Sequence, residues 1–480
     1  MDRRFGARRD GLDLAETPLA IDFMAGAHDD TTFDRKVLLK GGTILSMDAA
    51  IGDFVTGDVL VEGRRIAAVR PEIDATANVI DASGMIVMPG LVDAHRHLWA
   101  NAFRRLLANA DGAGYSRFAN SLIPYLREED VFIASALGGW SAIHSGITSM
   151  LDYSHIAKAS AICDAAVLGH QSSGIRAVYA YAAPRTGPSN PAYPGDLERL
   201  IQRFFTSEDQ LLSLRLGTRM DSANYALARR FGLGITSDGI FGIATPLRPE
   251  SSASRILDMA RAAELGDDVT LIHGTGLADD VMKAIADSGV CVVLAPTSDT
   301  TLRGLGNSVP PIQGVLDHDL LHRTGISVDI EVALCSDLFA QMRAIFTVQR
   351  VLANLRWSAA DTRAPKPIKV RDVLTMATIG GARASGLDKK VGSLTPGKEA
   401  DIIMVSADTI NTGPLNNAAG TVVIGAGSED VDTVFIRGRL KKWRGQLVGV
   451  DVEAVMRTAK QSRDRLAQAS GLWQPADIVT

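Results

Sequence analysis

Residues 80–104 read IDASGMIVMPGLVDAHRHLWANAFR. Within them a short apolar segment, IVMPGLVDA (86–94), runs straight into two histidines, His95 and His97, spaced two apart. Residues i and i+2 of an extended strand project from one face, so both imidazoles can reach a single cation. Imidazole suits zinc, iron and related divalent ions. An H-x-H pair by itself is matched equally well by two surface histidines with no shared role, so the reading depends on what surrounds it.

On the N-terminal side lie β segments bounded by Gly, Asp or Asn turn signals: KVLLKGGTIL (36–45), DVLVEGRRIAAV (58–69) and ANVIDASGMIVM (77–88). Similar text returns only near the other end, in ADIIMVSAD (400–408) and VDTVFIRGRLKKWRGQLVG (431–449). The two groups are expected to pair into one small β-sandwich built from both chain ends. Between them, short apolar runs alternate with helical patterns such as ASRILDMARAAEL (253–265) and ADDVMKAIADSG (278–289). That alternation is the signature of repeated βα units around a parallel sheet. The candidate strands are IVMPGLVDA, GITSMLDYS (146–154), GIRAVYAYA (174–182), LLSLRLGT (211–218), GLGITSD (232–238), VTLIHG (269–274), CVVLAPT (291–297) and GISVDI (325–330). The predicted fold class is therefore α/β: a (β/α)8 TIM barrel with a β-sandwich domain from both ends. An open doubly wound sheet is disfavoured, because no G-x-G-x-x-G follows the first strand. The expected organisation is an N-terminal extension (1–32), a composite β-sandwich (33–86 and 391–447), a catalytic barrel (87–390), and a C-terminal helix and tail (448–480). In that last part Val455, Met456 and Leu466 are spaced among charges as in an amphipathic helix.

Composition narrows the function. The chain is 46% apolar, 22% charged and 5% aromatic, an ordinary globular mixture. A net charge of −5 provides no cationic excess to neutralise phosphates, which argues against a nucleic-acid partner and for a small molecule. No apolar run is long enough to span a bilayer, and the charged N-terminus is not a secretory signal, so a cytoplasmic protein without membrane attachment is expected. Cys163, Cys291 and Cys335 form no C-x-x-C pair and read as buried small residues. A homo-oligomer is expected.

Active sites of such barrels lie at the C-terminal strand ends. Besides His95 and His97, the polar residues at these ends are His155, Asp238, His273, Asp299 and Asp329, with Trp99 and Asn101 close by. Trp99, Asn101, His155 and Asp299 are the candidate substrate-pocket residues. Arg96 alternates away from its flanking histidines and reads as half of a salt bridge behind the site.

The run at 80–104, together with GSLTPGKEADIIMV (392–405) and VDTVFIRGRL (431–440), resembles the amidohydrolase superfamily, in particular its cytosine deaminase and triazine-chlorohydrolase-like branch. The resemblance implies an enzyme that hydrolyses a C–N bond, by deamination or amide or lactam opening, in a small cyclic or heterocyclic substrate. It implies one divalent metal ion, zinc in the first place and iron or manganese as alternatives, on His95, His97 and Asp329, with His273 and Asp329 as catalytic groups. Asp337, the other acid in SVDIEVALCSDLFAQMR, reads instead as a helix cap. Members with two metals bridge them through a lysine on the third or fourth strand. No lysine occurs between Lys158 and Lys283, so one metal is expected.

The sequence departs from its family at the fifth strand. A histidine is expected there, yet GLGITSDG (232–239) offers Asp238, and the acid expected three residues later is Phe241. Asp238 is read either as a replacement ligand or as the Asp of an Asp-Gly turn. A metal-free relative catalysing a dehydration, cyclisation or isomerisation is accordingly carried as the second reading.

Overall fold

The computed structural model describes residues 36–185 and 193–472. The expected extension at 1–32 and the last residues of the tail lie outside the described residues, as does part of the irregular stretch that follows the third barrel segment.

The N-terminal strands are β1 (Lys36–Ile44), β2 (Phe54–Glu62), β3 (Arg65–Arg70), β4 (Asn78–Asp81) and β5 (Met85–Pro89). Eight parallel strands follow: β6 (Leu91–Arg96), β7 (Ile147–Ser154), β8 (Arg176–Ala182), β9 (Leu212–Thr218), β10 (Gly234–Phe241), β11 (Val269–Thr275), β12 (Cys291–Leu294) and β13 (Thr324–Ile326). The chain then returns in β14 (Ile402–Ser406), β15 (Val431–Ile436), β16 (Arg439–Trp443) and β17 (Gln446–Leu447).

The two ends do combine. β14 pairs antiparallel with β5, Met404 opposite Val87, and the nine-stranded sheet runs β17-β16-β15-β14-β5-β1-β2-β3 with β4 beside β1. Strand periodicity gives this sheet two different faces. Ile402 and Met404 join Leu39, Val59, Val61 and Phe435 in the sheet's own core, whereas Ile403 and Val405 face the core of the barrel and its helices.

The barrel strands run in the order β6 to β13, and the seam between β13 and β6 is closed by a bridge between Arg96 and Asp329. His97 N donates to Asp329 O at 3.0 Å and Asp329 N to His95 O at 3.1 Å. These strands are buried on both faces, which is why they show no regular apolar–polar alternation.

One segment read as a single strand is two. IVMPGLVDA breaks at Gly90: β5 belongs to the composite sheet and β6 opens the barrel. A Cβ at Gly90 would lie 2.1 Å from Thr148 Oγ1, so only a glycine lets the chain turn there against β7. The C-terminal helix Val452–Ser470 buries Val455 and Leu466 against the helix Glu128–His144 and bonds Ser462 Oγ to Asp130 at 2.7 Å. Met456, expected on the apolar face, is 39% exposed, because it stands one helical position round from Val455.

Candidate active site

His95 ends β6 and His97 follows it, so the i, i+2 spacing delivers both rings to the barrel mouth. Asp329 arrives across the seam on the chain beyond β13, Asp238 from within β10 and His273 from within β11. The polar atoms converge. His95 Nε2 and His97 Nε2 each lie 3.5 Å from Asp329 Oδ1. They lie 3.9 and 3.7 Å from the two oxygens of Asp238, and His273 Nε2 is 3.3 Å from Asp238 Oδ1.

Most of these separations are too long for good hydrogen bonds, whose N···O distances run from roughly 2.7 to 3.2 Å. The two 3.5 Å separations from Asp329 Oδ1 match the edges of a tetrahedron of ligands set about 2.0–2.1 Å from one ion, edges of roughly 3.4 Å, and those to Asp238 are somewhat longer. Both ring nitrogens of His95 and Asp238 Oδ1 are buried without a hydrogen-bond partner among the described residues. Such orphaned groups are costly unless something binds them. His97 Nδ1 donates to Tyr153 O at 2.8 Å, which fixes the tautomer that leaves Nε2 free as a ligand. His95, His97 and Asp329 thus form a donor set that fits a divalent cation, and Asp238 belongs to two overlapping sets, one with His95 and His273 and one with His97 and His155.

Asp238, left open between ligand and turn residue, points into this cluster. Gly239, at φ +79°, forms part of an irregularity in the β10–β11 register and turns the strand there. Phe241, where an acid was expected, stacks on the His273 ring with centroids 5.3 Å apart.

Charges and burial assign protonation. Burial and the neighbouring His95 push His97 down to about 4, so its ring is neutral at pH 7. Burial likewise holds His155 well below the ordinary histidine range. His273 is the opposite case: burial opposes its charge, but Asp299 and Asp238 outweigh burial and lift it well above the ordinary value. Burial raises Asp329, yet the neighbouring His95, His273 and His97 imidazoles dominate and bring it to about 2. Its Oδ2 accepts from Ser298 Oγ at 2.5 Å. Asp238 is held low in the same way, chiefly by His273 against burial.

The site opens into a cavity of about 480 Å3 lined by His97, Asp238, His273, Asp329, Tyr115 and Met220, among others. His155 lines an adjoining cavity, its ring 4.3 Å from that of His97 and its Nε2 accepting from Trp99 Nε1 at 3.2 Å. The other candidate pocket residues stand behind this wall. Trp99 is buried against Phe118. Asn101 donates to Glu331 at 3.1 Å, within the cluster that also holds Arg96 between Asp93 and Glu331. Asp299 sits in the helical turn after β12, fully buried, and accepts from His273 Nδ1 at 2.8 Å. Ser298, Tyr115, Arg185, Arg219 and Arg248 were not foreseen. Tyr115 lies in the helix Gly112–Leu122, and the others sit on a short helical turn or loops, where a single sequence carries no periodic signal.

The sequence model of the amidohydrolase family matches residues 86–441. The chain is 26% identical over 464 residues to a 5'-deoxyadenosine deaminase of Methanobrevibacter smithii, covering 91% of this chain and 99% of that one. It is 24% identical to a 5-methylthioadenosine/S-adenosylhomocysteine deaminase of Moorella thermoacetica, covering 88% and 97%. An adenosine deaminase from Xanthomonas campestris with bound zinc shares the fold at a TM-score of 0.75 and 22% identity, over 90% of this chain and 98% of that one. An atrazine chlorohydrolase from Arthrobacter aurescens complexed with zinc shares it at 0.75 and 20%, over 89% and 100%. A family match that runs from the strand before the paired histidines to the returning sheet covers both halves of this architecture, and the chain accordingly belongs to the amidohydrolase family, as a hydrolase of C–N bonds.

Proposed function

We propose that this enzyme deaminates a small aminated heterocycle at a single divalent ion, zinc in the first place, held by His95, His97, Asp238 and Asp329, with Asp329 and His273 as its catalytic residues. The observation that carries the proposal is the convergence of His95 Nε2, His97 Nε2 and Asp329 Oδ1 at ion-binding spacing, with His95 Nε2 buried and without a hydrogen-bond partner among the described residues and Asp238 facing both histidines at 3.7–3.9 Å. Support for the substrate class comes from the curated relatives, which deaminate adenine-type compounds.

A cation bound there lowers the pKa of a water to about 7 and so supplies hydroxide at neutral pH. Asp329 is ionised, Ser298 holds its Oδ2, and its carboxylate beside the cation site takes the proton of the attacking water and delivers it to the departing amine. His273 carries its proton on Nε2 and faces the cavity, with Asp299 holding its other nitrogen. It donates to the ring nitrogen on which charge builds as the carbon becomes tetrahedral. Carbon–oxygen bond formation and carbon–nitrogen cleavage convert the amine and water into a hydroxy or oxo compound and ammonia.

Ammonia release from a panel of aminopurines and aminopyrimidines, alongside elemental analysis of the purified protein, tests the proposal. About one divalent ion per chain is expected, and His97→Ala should lose both ion and activity. Active protein without stoichiometric metal would transfer the reading to non-hydrolytic chemistry in the same barrel. No helix among the described residues is long and apolar enough to cross a membrane. A cytoplasmic homo-oligomer remains part of the proposal, and light scattering checks the assembly.

A further inference from the structure

Three consecutive strand ends each bring an arginine to the mouth of the barrel. Arg185 follows β8, Arg219 directly follows β9, and Arg248 lies in the loop after β10. All three line both the main cavity and the adjoining cavity of about 380 Å3, and so does Asp238. Several arginines elsewhere are paired with carboxylates, Arg176 with Asp401 at 2.8 Å, Arg199 with Asp164 at 2.9 Å and Arg229 with Asp268 at 2.7 Å, whereas Arg215, Arg343 and Arg350 donate to backbone carbonyls instead. Among the described residues, Arg185, Arg219 and Arg248 have no carboxylate at ion-pair distance. Asp221, Asp238, Glu250 and Asp329, the acids lining the same cavities, lie beyond ion-pair distance of them.

Two of the three guanidiniums are positioned by contacts that leave their charge unanswered. Arg185 lies over the Tyr115 ring at 5.0 Å and donates to Ser116 Oγ at 2.8 Å. Arg248 lies over Phe241 at 4.6 Å. It also packs against Gly239, where a Cβ would come within 3.1 Å of Arg248 Nη1. Burial works against the cation of Arg248 and the Asp238 carboxylate favours it, while Arg185 and Arg219 oppose it and Asp329 adds a smaller favourable charge. Like charges gathered at a half-buried rim repel one another, and an anion between them would relieve both the repulsion and the unmet hydrogen-bond donors.

We propose that Arg185, Arg219 and Arg248 form an oxyanion subsite, and that the substrate is a heterocycle bearing a carboxylate or phosphate group seated on them while its reacting carbon faces Asp329. The subsite rests on the arginine geometry, and the reacting carbon rests on the C–N hydrolase reading above.

Calorimetry on the full chain with matched ligands tests it. Adenosine against adenosine 5'-phosphate probes phosphate, 2-aminopyridine against 6-aminonicotinate probes carboxylate, and ammonia release is followed on the same compounds. At least one anionic member should bind roughly tenfold or more tightly than its neutral partner, with an advantage that shrinks as salt rises. The pair that shows the advantage identifies the oxyanion. Arg248→Gln and Arg219→Gln should each remove most of that advantage and affect the neutral member far less. Arg219 is exposed, so its replacement does not depend on the packing around Arg248. Arg219→Lys should retain part of the advantage. If neither anionic member is preferred, or if the preference survives in the Arg219→Gln/Arg248→Gln double variant, the proposal is overturned. Preference without ammonia from any compound would support the subsite and count against the hydrolase reading alone.

Discussion

His273 and Asp329 both have left-handed backbone, at φ 78° and 68°, a conformation that costs a non-glycine residue free energy and collects at functional sites. The surrounding barrel holds them there, and both aim their side chains at the cation cluster. The proposed metal chemistry turns on Asp238. With Asp238 as a ligand, the proposed site of two imidazoles and two carboxylates is more anionic than a three-histidine site, which favours harder ions. Asp238→Ala should therefore weaken metal binding sharply, and Asp238→His should tighten zinc binding, both read as affinity by competition with a chelating dye. Unchanged affinity in the alanine variant would remove Asp238 from the ligand set. His97 gives a second expectation, for metal-free protein. Its pKa of about 4 in the fold lies below the ordinary 6.5, so between those values the unfolded chain binds a proton that the folded chain does not. Stability then rises with pH through that window and is lost as acid is added, by about 3 kcal/mol at roughly 1.36 kcal/mol per unit. His155, lowered by burial too, adds to the same slope, whereas His273 acts above pH 6.5 with the opposite sign. Urea unfolding at pH 7 and pH 4.5 should show a shallower pH dependence in His97→Gln than in wild type. An identical slope in the two would refute this role.

At the scale of elements, the seam between β6 and β13 matters most. The backbone bonds that close the barrel there are made by His95, His97 and Asp329 themselves, so barrel closure and assembly of the cation site are one event. Gly90 sets where β5 ends and β6 begins. Gly90→Ala should destabilise the fold by about 1–3 kcal/mol, because the added methyl meets Thr148 and neither strand is free to move away. Chemical denaturation measures this, and a change below about 0.5 kcal/mol would show that the turn is slack. Asp337 behaves as its sequence context suggests, capping the helix Leu338–Ser358 by accepting from Ala340 N at 2.9 Å.

Across the whole molecule, the barrel and the composite sheet are joined by a buried ionic cluster as well as by apolar contact. Arg176 opens β8 and reaches Asp401 at 2.8 Å, with Glu399 beside it, just ahead of β14. Arg176→Met would leave buried Asp401 without a side-chain cation and Glu399 with only Arg437 at 3.8 Å, a loss of about 3 kcal/mol. Thermal unfolding should then start from the sheet at a lower temperature, and an unchanged midpoint would mean that the apolar contact alone holds the two layers together.

Strand patterning, turn residues and the H-x-H pair determined much of this protein by themselves. The eight barrel strands, the sheet shared by both ends and the polar residues at the strand ends are local or periodic features, and a chain displays these in its text. The break at Gly90 was not legible, because the clash that demands glycine comes from Thr148 on another strand. Nor was the place of Asn101 and Asp299, which hold other side chains from behind and do not line the cavity. The text left Asp238 open between turn and ligand, and only the bend at Gly239 turns its carboxylate inward. The arginine rim was invisible as well: Arg185, Arg219 and Arg248 are far apart in sequence, and their missing partners become a fact only once three loops meet in space. Such features depend on distances between elements, which no local pattern encodes.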